Sequence, residues 1–184
     1  MVPFCNIYSS FMQRAYDNVI HDVAIQRLPV VMCLDRGGLV GEDGATHHGA
    51  FDLAYFGTVP NLTVAAPMNE LELRNMMFTA LEAGRPFAIR YPRGGEGAFT
   101  ADTSAGDFAE LRTGKDITLC AYGTLINNVL GAAELLHEDG IEARVVKLNR
   151  ISPFRGGELS KCFGTTKRLL VAEECLGVVC IGQR

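Results

Sequence analysis

The feature that most restricts this chain is a strand-like run with no polar face. Residues 30–35 (VVMCLD) are five apolar side chains followed by a carboxylate. A strand with one face in water would alternate in polarity. A run apolar on both faces suits an inner strand of a parallel sheet covered by helices. Short apolar runs recur at 4–8 (FCNIY), 62–66 (LTVAA), 87–91 (FAIRY), 117–122 (ITLCAY), 143–148 (ARVVKL) and 169–172 (LLVA).

Between these runs the period changes. After Ser9 and Ser10, both good N-cap types, Phe11, Ala15, Val19 and Val23 fall on one helical row and Met12, Tyr16, Ile20 and Ala24 on the next. A helix to about Gln26 is expected. Asn69 followed three residues on by Glu72 has the spacing of a capping box, and Leu73, Met76, Met77, Ala80 and Leu81 continue it as an apolar stripe closed by Gly84 and Pro86. A third helix is expected over 124–137, with Leu125, Val129, Ala132, Ala133 and Leu136 on one face. From Arg93 to Lys115 the periodicity lapses into Gly, Thr, Ser, Ala and Asp, which reads as a linker. The stretch 154–163 (FRGGELSKCF) is a poor helix former because of its paired glycines. The expected architecture is α/β: two blocks with mainly parallel sheets, 1–92 and 116–184, joined by residues 93–115.

Composition narrows the function classes. With 17 Lys+Arg against 21 Asp+Glu the net charge is −4, and no basic run offers a footprint for nucleic acid. No apolar stretch approaches the roughly 18 residues that span a bilayer. Six cysteines, at 5, 33, 120, 162, 175 and 180, contain no CxxC pair and sit mostly in apolar runs, so a reduced, cytoplasmic chain is expected.

In open parallel sheets ligands gather at the carboxyl ends of the strands. Tyr8 ends the first strand, with Phe11 and Arg14 on the helix just after it. Asp35 and Arg36 end the second and open a glycine-rich segment, RGGLVGEDGATHHG, that holds Asp43, His47 and His48. Arg90 and Arg93 flank the end of the FAIRY run. Guanidiniums gathered with a Tyr, an Asp and a His beside an aromatic suit a small phosphorylated or carboxylated substrate. Each residue also has a plainer reading: Tyr8 and Phe11 as core, Arg14 as a solvated helix residue, Arg36 as half of an ion pair, the histidines as exposed loop. No third ligand sits at a recognisable spacing from the paired histidines, so no metal site is expected in this chain. The chain also lacks a GxSxG elbow, a GxGxxG after a strand and a GxxxxGK[ST] loop.

The strings IYSSFMQRAYDNVIHDVAIQRLPV, LDRGGLVGEDGATHHGAFDLAY, PNLTVAAPMNELELRNMM and AIRYPRG resemble the 1-deoxy-D-xylulose-5-phosphate synthases of the transketolase superfamily, and KDITLCAYGTLINNVLGAAELL with ARVVKLNRISPF resembles that family's C-terminal domain. The resemblance implies a thiamine-diphosphate- and Mg2+-dependent enzyme, a homodimer when complete. It would condense pyruvate with D-glyceraldehyde 3-phosphate, releasing carbon dioxide, at the start of non-mevalonate isoprenoid synthesis and on the way to thiamine and pyridoxal phosphate. It implies a transketolase-like pyrimidine-binding domain followed by a transketolase C-terminal domain, both truncated. It assigns Phe11 to stacking on the cofactor's pyrimidine ring, Tyr8 and Arg14 to the substrate cavity, and Arg36 and Arg93 to the aldehyde's phosphate. Asp43 and His47 fall beside the reacting carbon, with His47 the proton-transfer group. Arg90 and His48 receive no role beyond a structural one. The family's GDG…N magnesium motif and its pyrimidine-activating glutamate are missing from the sequence, so the 184 residues alone are expected to be inactive, and to be poorly folded or self-associating through an exposed sheet edge. Two alternatives stand beside this reading. One is another superfamily enzyme, such as a transketolase or a pyruvate-dehydrogenase beta-type subunit, against which GEDGATHHGAFD and YPRG weigh. The other is a non-catalytic binding module that keeps the fold.

Overall fold

The computed structural model describes residues 1–94, 97–154, 157, 160, 163–164, 166–177 and 180–183. In chain order its strands are β1 (Phe4–Tyr8), β2 (Val31–Asp35), β3 (Thr63–Ala65), β4 (Phe87–Arg90), β5 (Phe108–Arg112), β6 (Ile117–Tyr122), β7 (Ala143–Leu148), β8 (Arg150–Ser152) and β9 (Leu169–Ala172). Its α-helices are α1 (Ser9–Met12), α2 (Tyr16–Asn18), α3 (Asp52–Phe56), α4 (Glu70–Glu82) and α5 (Leu125–Glu138). Two sheets result, ordered β1-β2-β4-β3-β8 and β5-β7-β6-β9. All pairings are parallel except β3 with β8 and β5 with β7. The mainly parallel α/β reading therefore holds. β2 lies inside the first sheet, and its Val31, Met32, Cys33 and Leu34 are all buried.

The helix expected from Phe11 to Gln26 is broken. It runs as α1, a 3-10 turn at Gln13–Ala15, α2 and a π-helical turn at Val19–Ala24. The packing gives a reason. Met12, Val19 and Ala24 all enter one core. Along a regular α-helix the five steps from Val19 to Ala24 advance about 500°, leaving Ala24 roughly 140° off Val19's side. Bonding to the fifth residue adds a residue to the turn and swings Ala24 back. Nor does either serine cap this helix. Both lie inside α1, the N-cap position falls on Tyr8 without a side-chain bond, and the Ser9 hydroxyl instead donates to Asp52 Oδ2 at 2.9 Å.

α4 begins as the sequence indicates, with Asn69 Oδ1 accepting from the Glu72 amide at 2.9 Å. The reciprocal half of the capping box is absent. The Glu72 carboxylate accepts instead from the Met68 amide at 2.9 Å, from the Thr103 amide and hydroxyl at 3.0 and 2.9 Å, and from Lys147 Nζ in β7. Both members of this ion pair are fully buried.

Three further features bind the halves of the chain together. Residues 93–115 contain β5, which pairs with β7. The chain then leaves the second sheet at Asn149 and returns to the first as β8. One hydrophobic core holds Leu34, Phe56 and Val64 from the first half together with Cys120, Tyr122, Val146 and Ile151 from the second. The stretch 154–163 and Cys162 fall largely outside the described residues, and the other five cysteines are free thiols.

Candidate active site

The site residues sit where three parallel strands end. Tyr8 closes β1, and α1 follows directly, which lifts Phe11 and Arg14 over the same end of the sheet. β2 closes at Asp35. Arg36 then turns into the left-handed region at φ 59°, a conformation non-glycine residues rarely hold, and the Asp35 side chain secures it by accepting the Arg36 amide at 2.7 Å. The glycine-rich segment leaves and returns through one gate. Gly38 N donates to Gly49 O at 3.0 Å, and Gly49 N to Gly38 O at 2.8 Å. Between them two 3-10 turns, Gly41–Asp43 and Ala45–His47, present Asp43 and His47. His48 faces inward as a staple, its Nδ1 accepting the Val40 amide at 3.2 Å.

All seven candidate residues join one continuous cluster. The Tyr8 and Phe11 rings stack with centroids 5.3 Å apart at 15°, and the His47 ring meets Phe11 edge-on at 5.3 Å and Tyr8 at 6.2 Å. The Arg14 guanidinium carbon lies 5.6 Å from the Phe11 centroid, and that of Arg36 lies 3.8 Å over Tyr8. Arg36 Nε donates to Asp43 Oδ2 at 2.6 Å, and Arg93 Nη1 donates to Asp43 Oδ1 at 2.6 Å. One carboxylate thus bridges two guanidiniums brought from the ends of β2 and β4. The hydrogen bond from Arg36, with the Arg93 charge beside it, holds the Asp43 carboxyl below the usual carboxylate range. The same hydrogen bond raises the Arg36 guanidinium further. His47 Nδ1 is 2.9 Å from the Thr46 hydroxyl.

Beside this cluster a cavity of about 300 Å³ opens between the strand ends and the first turns of α4 and α5. Arg36 and Arg93 form part of its wall, with Asn69, Leu73, Tyr91 and Thr124. Burial pushes the Tyr91 phenol up to about 12, so Tyr91 stays neutral at physiological pH beside the two guanidiniums. The aromatic group also has the character a flat heterocycle needs. Phe11 keeps 37% of its surface exposed although Tyr8, His47 and Arg14 hold it in place. Residues of this kind fit a thiamine ring. Among the described residues, no group of three or more His, Cys, Asp or Glu side chains is placed to hold a metal ion, and no helix is long and apolar enough to cross a membrane.

Two residues behind the cluster carry no site role in the sequence reading, which takes Ser9 only as an N-cap. Ser9 and Asp52 form a buried pair under the Tyr8–Phe11 turn, and Arg90 completes it by donating Nε to Asp52 Oδ2 at 2.8 Å. A signal for this existed. An arginine inside the FAIRY run, in a strand apolar on both sides, requires a buried carboxylate somewhere.

Comparison with known proteins identifies the family. Residues 1–95 match the family described as transketolase, pyrimidine binding domain, and residues 106–184 the family described as transketolase, C-terminal domain. The chain belongs to the transketolase family. Among its curated relatives are proteins named 1-deoxy-D-xylulose-5-phosphate synthase. That of Bacteroides thetaiotaomicron is 51% identical over 180 residues, covering 94% of this chain and 28% of that protein. That of Parabacteroides distasonis is 55% identical over 147 residues, covering 77% and 23%, and that of Cytophaga hutchinsonii is 45% identical over 185 residues, covering 96% and 29%. The chain spans less than a third of the length of these relatives. Among solved structures, a split-gene transketolase described as an inactive beta4 tetramer superposes with a TM-score of 0.86 at 27% identity, covering 98% of this chain and 59% of that one. A transketolase from Pichia stipitis superposes at 0.84 with 21% identity, covering 95% and 27%, and supports the fold alone.

Proposed function

We propose that this chain is part of a 1-deoxy-D-xylulose-5-phosphate synthase, which joins pyruvate to D-glyceraldehyde 3-phosphate with loss of carbon dioxide at the start of non-mevalonate isoprenoid and thiamine precursor synthesis. The observation that carries the reading is the single cluster in which the Tyr8–Phe11–His47 rings adjoin the Arg36–Asp43–Arg93 bridge at the strand ends. The name shared by relatives 45–55% identical to this chain points the same way.

On this reading Phe11 holds the pyrimidine ring of thiamine diphosphate, and Tyr8 and Arg14 line the substrate space around it. Bound thiamine diphosphate supplies the electron sink for decarboxylating a 2-oxo acid. Arg36 and Arg93 hold the phosphate of the aldehyde, whose size suits the cavity they border. Asp43 keeps both guanidiniums aligned until that phosphate arrives. His47 moves the proton at the aldehyde oxygen, and the apolar ring edges around it limit water there. Mg2+, a homodimer and a cytoplasmic setting belong to the same reading. The sequence has no GDG…N motif for the diphosphate and its metal, so the 184 residues by themselves are read as inactive.

The test is a chimera in which this chain replaces the matching span of the Bacteroides thetaiotaomicron relative. Pentulose phosphate formation from the two substrates is expected. Arg93→Met should raise KM for the aldehyde by about tenfold or more while leaving that for pyruvate nearly unchanged, the loss of a charge-assisted hydrogen bond. Phe11→Ala should raise the thiamine diphosphate concentration needed for half activity. An active chimera in which Arg93→Met leaves the aldehyde KM unmoved would sink the assignment. The overlay on the split-gene transketolase subunit favours a second reading, a transketolase subunit. A chimera inactive with pyruvate but active with ketose phosphates would favour that one.

A further inference from the structure

The seven candidate residues come from three separate segments, 8–14, 36–47 and residue 93, and one buried side chain lies behind them. Arg90, at the end of β4, is 5% exposed. Its Nε donates to Asp52 Oδ2, which also accepts the hydroxyl of Ser9, the residue after Tyr8, at 2.9 Å. Its Nη2 donates to Gly49 O at 3.0 Å, the carbonyl that closes the gate of the 36–49 loop, and to Glu174 O in the second half of the chain at 2.8 Å. The 174–176 segment rests on the same gate, with the Leu176 amide donating to Ala50 O at 3.1 Å. Two glycines make the close approach possible. A Cβ on Gly37 would fall 2.6 Å from Arg90 Cγ, and one on Gly38 would fall 2.2 Å from Glu174 Oε2. Burial opposes the Arg90 charge, but Asp52 and the other neighbours together more than offset it, so the fork stays protonated.

We propose that Arg90 is a positioning residue through which the second half of the chain sets the active site: its fork fixes the spacing between the Tyr8–Phe11 turn, the loop gate and residues 174–176, and thereby holds His47 against Phe11 and Arg36 over Tyr8. The proposal rests on the reading above only in taking those contacts as the working site. The other buried ion pair, Glu72 with Lys147, joins the same two halves, yet its hydrogen bonds reach only Met68, Thr103 and Lys147, none of them in 8–14 or 36–49. It therefore serves as the control.

Arg90→Lys keeps a positive charge beside Asp52 but cannot reach three acceptors as a planar fork does. In the chimera described above, NMR of this variant should show the Phe11–His47 ring contacts weakened and Gly38 and Gly49 amide exchange faster by about tenfold or more, with β6 and β7 amides unchanged. Lys147→Met should do the reverse, speeding exchange in β7 while sparing the His47 signal. Should Arg90→Lys not fold, Leu176→Pro removes the amide donated to Ala50 while leaving Arg90 and Asp52 in place, and the same gate exchange is expected. Should neither fold, the unaltered chimera decides: Gly38 and Gly49 amides exchanging with β4 support the proposal. Wild-type His47 signals and gate exchange in a folded variant would overturn it, as would gate amides in the unaltered chimera exchanging as freely as 41–46. None of these readouts needs cofactor or substrate, so an inactive chimera with an intact gate would defeat the functional reading alone.

Discussion

Replacing Lys147 by methionine isolates the electrostatics that tie the two halves of the fold together. The exchange keeps an unbranched apolar stem and removes one cation. Lys147 and Glu72 have no exposed side-chain surface. The Glu72 carboxylate would keep its bonds from the Met68 amide and from the Thr103 amide and hydroxyl, but would lose its counter-ion. Breaking a buried pair from one side costs roughly 3–5 kcal/mol. At this chain length each kcal/mol moves the melting temperature by roughly 2–4 °C, so a fall of about 6–20 °C is expected. The partner variant sharpens the argument. Burial lowers the Lys147 pKa despite the attraction of Glu72, so burying the Lys147 charge carries a desolvation cost that a neutral side chain avoids. Glu72→Gln combined with Lys147→Met should therefore recover at least half of the single-variant loss, a coupling well beyond the roughly 0.5 kcal/mol of independent sites. Urea unfolding followed by circular dichroism measures all four corners of the cycle. A single variant within about 1 kcal/mol of the parent, or a double variant whose cost is the plain sum, would refute the description of this pair as buried and coupled.

Two further outcomes follow from particular atoms. Asp43 has a folded-state pKa below its ordinary 3.8 because of the Arg36 hydrogen bond and the Arg93 charge, so its contribution to loop order is complete above that value and is lost as pH falls through the depressed one; an NMR titration placing its midpoint at or above 3.8 would contradict the bridge. Gly49→Ala puts a Cβ 2.3 Å from the Arg36 carbonyl and 2.6 Å from Ser9 Oγ, and should cost about 1–3 kcal/mol, whereas Gly131→Ala in α5 meets nothing within 4 Å and should stabilise by about 0.5–1 kcal/mol; equal effects in urea unfolding would show the gate to be slack.

Much of the sheet was legible because its signals are local. A five-residue apolar run such as 30–34, rich in β-branched residues and closed by a charge, suits an inner strand on local grounds, and Asn69 caps α4 through an amide only three residues away. The candidate site was legible as a set of residue types at strand ends. Its internal pairing was not. Nothing in the spacing of Arg36, Asp43 and Arg93 tells that one carboxylate bridges both guanidiniums across 50 residues. β8 escaped notice because three residues carry no period, and β5 because its partner β7 lies more than 30 residues downstream in the chain.

Periodicity, caps and apolar runs act over a few residues, so the amino-acid order alone determined the α/β alternation and which side chains stand at the carboxyl ends of the strands. Where Arg90 finds Asp52, and where Glu72 finds Lys147, was settled only by folding. A buried charge must find its counter-charge in space, and local sequence can show that a partner is needed but not which residue, 38 or 75 positions away, supplies it.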